Sequence, residues 1–129
     1  MNDFEHERLD AYKAGIAFLV EADAIASGLP RGRAYLSDQL RRASTSIPLN
    51  IAEGAGEYAQ ADKARIYRMA RRSATECAAV LDAIGVLSLA SSDSLARGRA
   101  LLLRVVAMLT AMVLKIRSRS GSGSGSGST

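Results

Sequence analysis

The chain has 129 residues, one cysteine, no tryptophan and a formal net charge of +4. That length suits one domain with a core large enough to need no covalent staple, and a lone Cys77 excludes an intramolecular disulfide or a thiolate metal cluster. Hydrophobic content is 48% with only 5% aromatics and two prolines, a profile of packed helices rather than many strands.

Charge is distributed unevenly. Residues 1–30 carry −4, residues 31–72 carry +5 and residues 73–129 carry +3, and 14 of the 17 bases are arginine. A polarised surface follows, with a basic side suited to forked contacts with phosphate or carboxylate. The opening Met1-Asn2-Asp3-Phe4-Glu5 is acidic and polar, unlike a secretory signal. The most apolar stretch, Ala100 to Ile116, is interrupted by Arg104, Thr110 and Lys115, so no membrane span is expected and the cytoplasm is the expected location.

The first predicted helix runs from about Asp3 to Ala26, with Leu9, Tyr12, Ile16, Leu19 and Val20 on its inner face. Gly28-Leu29-Pro30-Arg31-Gly32 breaks it. The second runs from about Ser37, a candidate N-cap, to Gly56, with Leu36, Leu40, Ala43, Ile47, Ile51 and Gly54 on one face. Pro48 lies inside it, removing the amide that would bond Ser44, and predicts a kink rather than a stop.

The third helix, about Gln60 to Ala90, places Ile66, Ala70, Ser73, Cys77, Leu81 and Ile84 together. Ser91-Ser92-Asp93 supplies the next cap. The fourth helix covers about Ser94 to Arg119 with an inner stripe of Leu95, Leu102, Val105, Val106, Leu109, Val113 and Ile116. Four periodic segments joined by short breaks predict an all-α, antiparallel up-down-up-down four-helix bundle over residues 1–119. Residues 120–129, dominated by alternating Gly and Ser, read as a flexible tail of linker type. Leu101, Leu103, Ala107, Met108, Ala111 and Leu114 widen the apolar arc of the fourth helix well beyond the roughly 100° stripe of a monomer's surface helix. Self-association is the expected cover for that excess.

Two constellations could carry function. On the second helix, Gln39, Arg42, Ser46, Asn50 and Glu53 form a polar stripe. Arg42 and Glu53 are roughly 16 Å apart along the axis, too far to act on one reacting group, so with Pro48 the stripe reads as a structural or interface seam. On the third helix, Arg65, Arg68 and Arg72 fall within about 60° of one another, pointing away from the apolar face. Arg71 widens the patch and Arg41 could join it from the second helix, giving a surface able to neutralise several phosphates. The alternative is a solvated face paired with Glu21 or Asp23. His6 stands alone between Glu5 and Glu7, and the set of residues that would serve a metal, a cofactor or an acyl-transfer reaction is missing. No enzyme activity, metal or cofactor is expected.

The second helix also carries a family likeness. Gln39-Leu40-Arg41-Arg42-Ala43, Ser46-Ile47-Pro48 and Asn50-Ile51-Ala52-Glu53-Gly54 occur in order, followed on the third helix by Tyr67-Arg68-Met69-Ala70-Arg71-Arg72-Ser73. The chain resembles, over about residues 8–116, the four-helix-bundle proteins related to the 23S rRNA intervening-sequence-encoded protein (S23 ribosomal-type). Where that family usually has Gly-Ser, this chain has Arg72-Ser73, which adds a base. The resemblance implies a ring-like homo-oligomer, in known members a homopentamer, and recasts the stripe from Gln39 to Glu53 as architecture. By analogy with a distant relative, it also implies a basic surface that engages nucleic acid. The expected function is therefore a non-enzymatic oligomeric adaptor contacting RNA or DNA backbone through Arg65, Arg68, Arg71, Arg72 and Arg41. The alternative is a protein-interaction or oligomerisation scaffold with no nucleic-acid role, which the surplus apolar surface and Met69, Met108 and Met112 would serve.

Overall fold

A computed structural model describes residues 4–128, with side chains as far as Arg119 except that of Arg8. Among the described residues there are four α-helices, one short 3-10 turn and no strand. The first helix starts later than its hydrophobic period suggests. Glu5–Arg8 forms the 3-10 turn, Leu9 is extended, and α1 spans Asp10–Ser27. The turn is held by aromatic contacts: the His6 ring stacks with Phe4 at 5.8 Å and meets Tyr12 edge-on at 4.7 Å. Asp10 then opens α1 with a negative charge where the helix dipole favours one.

The inner face of α1 departs from the expected one. Ala11, Ala14, Gly15, Phe18, Ala22, Ile25 and Ala26 are buried, whereas Ile16 is 37% and Val20 68% exposed. Hydropathy favours large residues, but the packing here favours small ones. A Cβ on Gly15 would sit 3.2 Å from Ile47 Cγ2 and 3.7 Å from the Pro48 nitrogen, so the two backbones approach closely at that point. Leu9, Tyr12 and Leu19 are only partly buried.

The second helix, α2, spans Ala34–Ala55 and runs through Pro48 without stopping. Ser44, Thr45 and Ser46 fill the turn before the proline, bonding back through their hydroxyls to the carbonyls of Arg41, Arg41 and Ala43. Ser37 is not its N-cap. It lies within the helix and donates to the Ala26 carbonyl at 3.1 Å, tying the start of α2 to the end of α1. The expected apolar face of α2 is buried throughout.

The third helix, α3 (Gln60–Val86), ends four residues before the expected boundary. Ser88 takes φ 56°, its amide bonds the Gly85 carbonyl, and the Leu89 amide bonds that of Ile84, both at 3.0 Å. These paired bonds close the helix end with a left-handed residue. Ser91 then caps α4, its hydroxyl accepting from the Ser94 amide at 3.1 Å. The fourth helix is traced over Ser92–Ser128, beyond the expected Arg119. The side chains of the Gly/Ser stretch lie outside the described residues.

Each helix packs on the next, and α4 packs on α1, so the four surround one core. Phe18 of α1, Leu40, Ile47 and Ile51 of α2, Cys77 and Ile84 of α3, and Val105 and Leu109 of α4 are fully buried there. No helix among the described residues is long and apolar enough to cross a membrane.

Candidate functional site

The motif-rich stretch of α2 faces its neighbours. Ser46 donates to Ser73 of α3 at 2.6 Å. Gly54 lies under the Tyr67 ring so closely that a Cβ there would sit 2.6 Å from Cε1. One turn earlier on α3, the Lys63 ammonium donates to the carbonyls of Gly54 and Ala55, both at 3.0 Å, and stands 5.9 Å from the Tyr67 ring centroid. A cation on the final carbonyls of a helix satisfies acceptors that have no partner within it. Gly54 and Pro48 thus sit at close helix–helix approaches, while Gln39 and Asn50 are half-buried and Arg42 and Glu53 are exposed.

The arginine cluster lines a groove between α3 and α4. A cavity of about 580 Å³ is bordered by Arg65, Arg68, Arg71 and Arg72, with Met69, Thr75, Val106 and Thr110 completing it. Arg71, the least exposed of the four, is anchored across the groove by a 3.2 Å bond from its Nη1 to Thr110 Oγ1. Arg65 touches Asp62 at 3.9 Å and Met69 Sδ at 3.7 Å. Arg68 also lines a second cavity of about 310 Å³, together with Ala61, Ala64, Ile116 and Arg117. No aspartate or glutamate lines either cavity among the described residues. Arginines supply all the charge in the two linings, with Arg65 also reaching Asp62 beside them, and guanidinium forks there can take phosphate oxygens two at a time.

The acids of α1 pair elsewhere. Glu21 meets Arg97 and Asp23 meets Arg41, each at 3.3 Å. Neither is spent on the groove, so the ion-paired reading of the α3 arginines has no support from Glu21 or Asp23. Arg41 also donates to Ser27 at 2.8 Å, which turns it toward α1 and leaves it out of the cluster. The Asp23–Arg41 pair is exposed on both sides and contributes little stability, whereas Glu21 is partly buried beneath an exposed Arg97.

Of the titrating groups, two are set apart by burial. The Cys77 thiol is pushed up to about 12 by loss of solvent and, secondarily, by the Glu76 charge. The Tyr67 phenol is raised by burial and then by Glu5. Both shifts favour the neutral, unreactive form. Among the described residues no group of three or more His, Cys, Asp or Glu gathers as a metal site would need.

Sequence reasoning missed Thr110 as part of the groove and Arg117 as part of the adjoining cavity, since both come from a helix far along the chain. Apolar side chains stand outward on all four helices, Leu49 on α2 and Met69 and Val86 on α3 among them. Ile16 and Val20 do so on α1, and Leu103 and Leu114, 61% and 58% exposed, on α4. In comparisons with known proteins, the family described as 23S rRNA-intervening sequence protein matches residues 7–111. No curated protein matches the chain.

Proposed function

Since the chain belongs to the 23S rRNA-intervening sequence protein family, we propose that it is a non-enzymatic, self-associating four-helix bundle that binds nucleic-acid backbone through the α3–α4 groove. One observation carries the reading: four arginines border a single concave surface with no carboxylate in its lining. A fixed anion in the groove would collect several charge-assisted hydrogen bonds. Copies arranged in a ring would multiply such contacts by avidity.

The bundle is read as antiparallel because contacts on one helix rise in number as those on the next fall. Asp23 pairs with Arg41 and Ala26 with Ser37 between α1 and α2. Ser46 meets Ser73 and Gly54 meets Lys63 between α2 and α3. Arg71 meets Thr110 and Asp82 meets Arg99 between α3 and α4. Self-association is supported by the exposed Ile16 and Val20 on α1 and by Leu103 and Leu114 on α4. The stoichiometry, a pentamer, rests on the family resemblance, and a cytoplasmic location on the sequence alone.

The test is a titration of RNA and DNA oligonucleotides by fluorescence anisotropy, on nuclease-treated protein whose mass is checked by light scattering. If about four phosphates are neutralised on a single strand, the slope of log affinity against log salt is near −3, and affinity falls roughly fifty-fold between about 50 and 200 mM salt. Replacing Arg65, Arg68, Arg71 and Arg72 by glutamate should abolish binding. Equal binding by the folded quadruple variant would refute the assignment. The outward apolar residues favour a second reading, a scaffold for a protein partner, which is preferred if no oligonucleotide binds at low salt.

A further inference from the structure

The arginine-lined surface does not end at the groove. Arg68 borders both the groove and the smaller cavity, so the two adjoin along the line where α3 meets α4. The pairing of the two helices places Arg117 on that line. Arg71 stands opposite Thr110 and Asp82 opposite Arg99, and in the same register Arg117 falls opposite Ala64, with which it lines the smaller cavity. At about 1.5 Å of rise per residue, the stretch of α3 from Ala61 to Thr75 that borders the two cavities is about 21 Å long. Arg117 and Arg65 stand toward one end of it, with Arg68, Arg71 and Arg72 following. The line is not basic in both directions. Past Thr75, a further cavity of about 480 Å³ holds Asp82 and Arg99, which pair at 3.4 Å, among apolar residues such as Leu81 and Leu95. A polyanion in the groove therefore gains a cation by running toward Arg117 and meets a carboxylate by running toward Asp82.

We propose that the smaller cavity is a second phosphate subsite, with Arg68 and Arg117 as its cations, and that a nucleic-acid strand lies lengthwise along α3 and α4 rather than across them. This rests on the nucleic-acid reading above and goes beyond it in assigning a fifth arginine and a direction. A strand crossing the bundle at Arg71 and Arg72 would leave Arg117 about 10 Å away along the axis, roughly a Debye length at 0.1 M salt, where its charge counts for little. A strand lying along the helices meets Arg72, Arg71, Arg68, Arg65 and Arg117 within about 12 Å. At the roughly 3.4 Å axial spacing of phosphates on a stacked strand, the whole run holds about six of them. Arg117 is exposed, and the neighbouring Ile116 is buried in the core, which ties α4 into the bundle at the level of the subsite.

The experiment titrates a single-stranded oligonucleotide of about six nucleotides, short enough to stay within one subunit's run, against wild type, Arg117→Ala and Lys115→Ala across a salt series, by anisotropy. Lys115 is the control: it is exposed, carries the same charge on the same helix, points about 160° away from Arg117 and lines neither cavity. Five neutralised phosphates give a slope of log affinity against log salt near −3.5. Arg117→Ala should make it shallower by about 0.7, one phosphate's share, and weaken binding on the order of fivefold at 0.1 M salt. Lys115→Ala should change neither. Circular dichroism and light scattering confirm that both variants keep their fold and mass. Equal losses in the two variants would mean that the strand senses overall charge alone, and an unaltered Arg117→Ala that it does not reach the smaller cavity. Either result overturns this proposal while leaving backbone binding in the groove intact. If neither this oligonucleotide nor a longer one binds the wild type at low salt, the nucleic-acid reading itself fails and this one with it.

Discussion

Replacing Gly54 by alanine tests the packing logic of the α2 motif against its helix propensity. Within α2, alanine should gain up to about 1 kcal/mol over glycine. Its Cβ, however, would lie 2.6 Å from Cε1 and 2.7 Å from Cδ1 of Tyr67, roughly 1 Å inside ordinary contact. Tyr67 is 3% exposed, and its rigid ring has no free end to swing aside. Relief must come from tilting the ring off its rotamer or parting α2 from α3. Overpacking of this kind costs about 1–3 kcal/mol, so the net loss is about 1 kcal/mol, and Tm should fall by roughly 3–8 °C. Gly56→Ala is the control, because a Cβ there meets only carbonyls of its own helix, at 3.7 Å. Thermal melts by circular dichroism are compared at one protomer concentration, since self-association would otherwise shift Tm by mass action. Gly54→Ala should become neutral or stabilising in a Tyr67→Leu background, where the ring is gone. If Gly54→Ala is as stable as Gly56→Ala with Tyr67 in place, the close approach is not what requires glycine.

Two further outcomes follow from the structure. Ser88 occupies a left-handed conformation that disfavours side chains, so Ser88→Gly should raise stability by about 1 kcal/mol, and a lower Tm would argue against the helix-end geometry. Cys77 should resist thiol reagents in the native protein and react only on unfolding. Its folded pKa is raised from 9.0 to about 12, so the neutral thiol contributes stability that is fully present below about pH 9 and is lost as pH rises toward 12. The raised Tyr67 phenol acts in the same direction, so the thiol's share is read as a difference. Between pH 8 and 10.5 the wild type should lose more Tm than Cys77→Ala, and parallel profiles would refute the assignment.

What was legible in the sequence divides along residue size and distance in the chain. The inner faces of α2 and α3 could be read because Leu40, Ile47, Ile51, Ile66 and Ile84 mark them at helical spacing. The face of α1 could not, because its close packing uses Ala11, Ala14, Gly15 and Ala22, and the larger Ile16 and Val20 pulled the reading to the outside. Ser37 shows a different ambiguity. A hydroxyl near a helix start can cap it or bond a neighbouring chain end, and here the Ala26 carbonyl takes it. The arginine run of α3 was visible as a run. Its opposing wall was not, since the Arg71–Thr110 contact depends on the register of two residues 39 positions apart. The fate of Glu21 and Asp23 was hidden for the same reason.

The small-residue face of α1 has a consequence for how the molecule breathes. Phe18 and Ile25 are the only large side chains that α1 buries fully, while its other buried positions are alanine and glycine. Little apolar area is therefore lost when α1 alone lifts away, and the cost of that partial opening is lower than for α2 or α3. Amide hydrogens of α1 should exchange through local detachment, and those of α2 and α3 only through global unfolding. Any partner that covers Ile16 and Val20 would slow exchange in α1 first, making that helix the natural reporter of assembly.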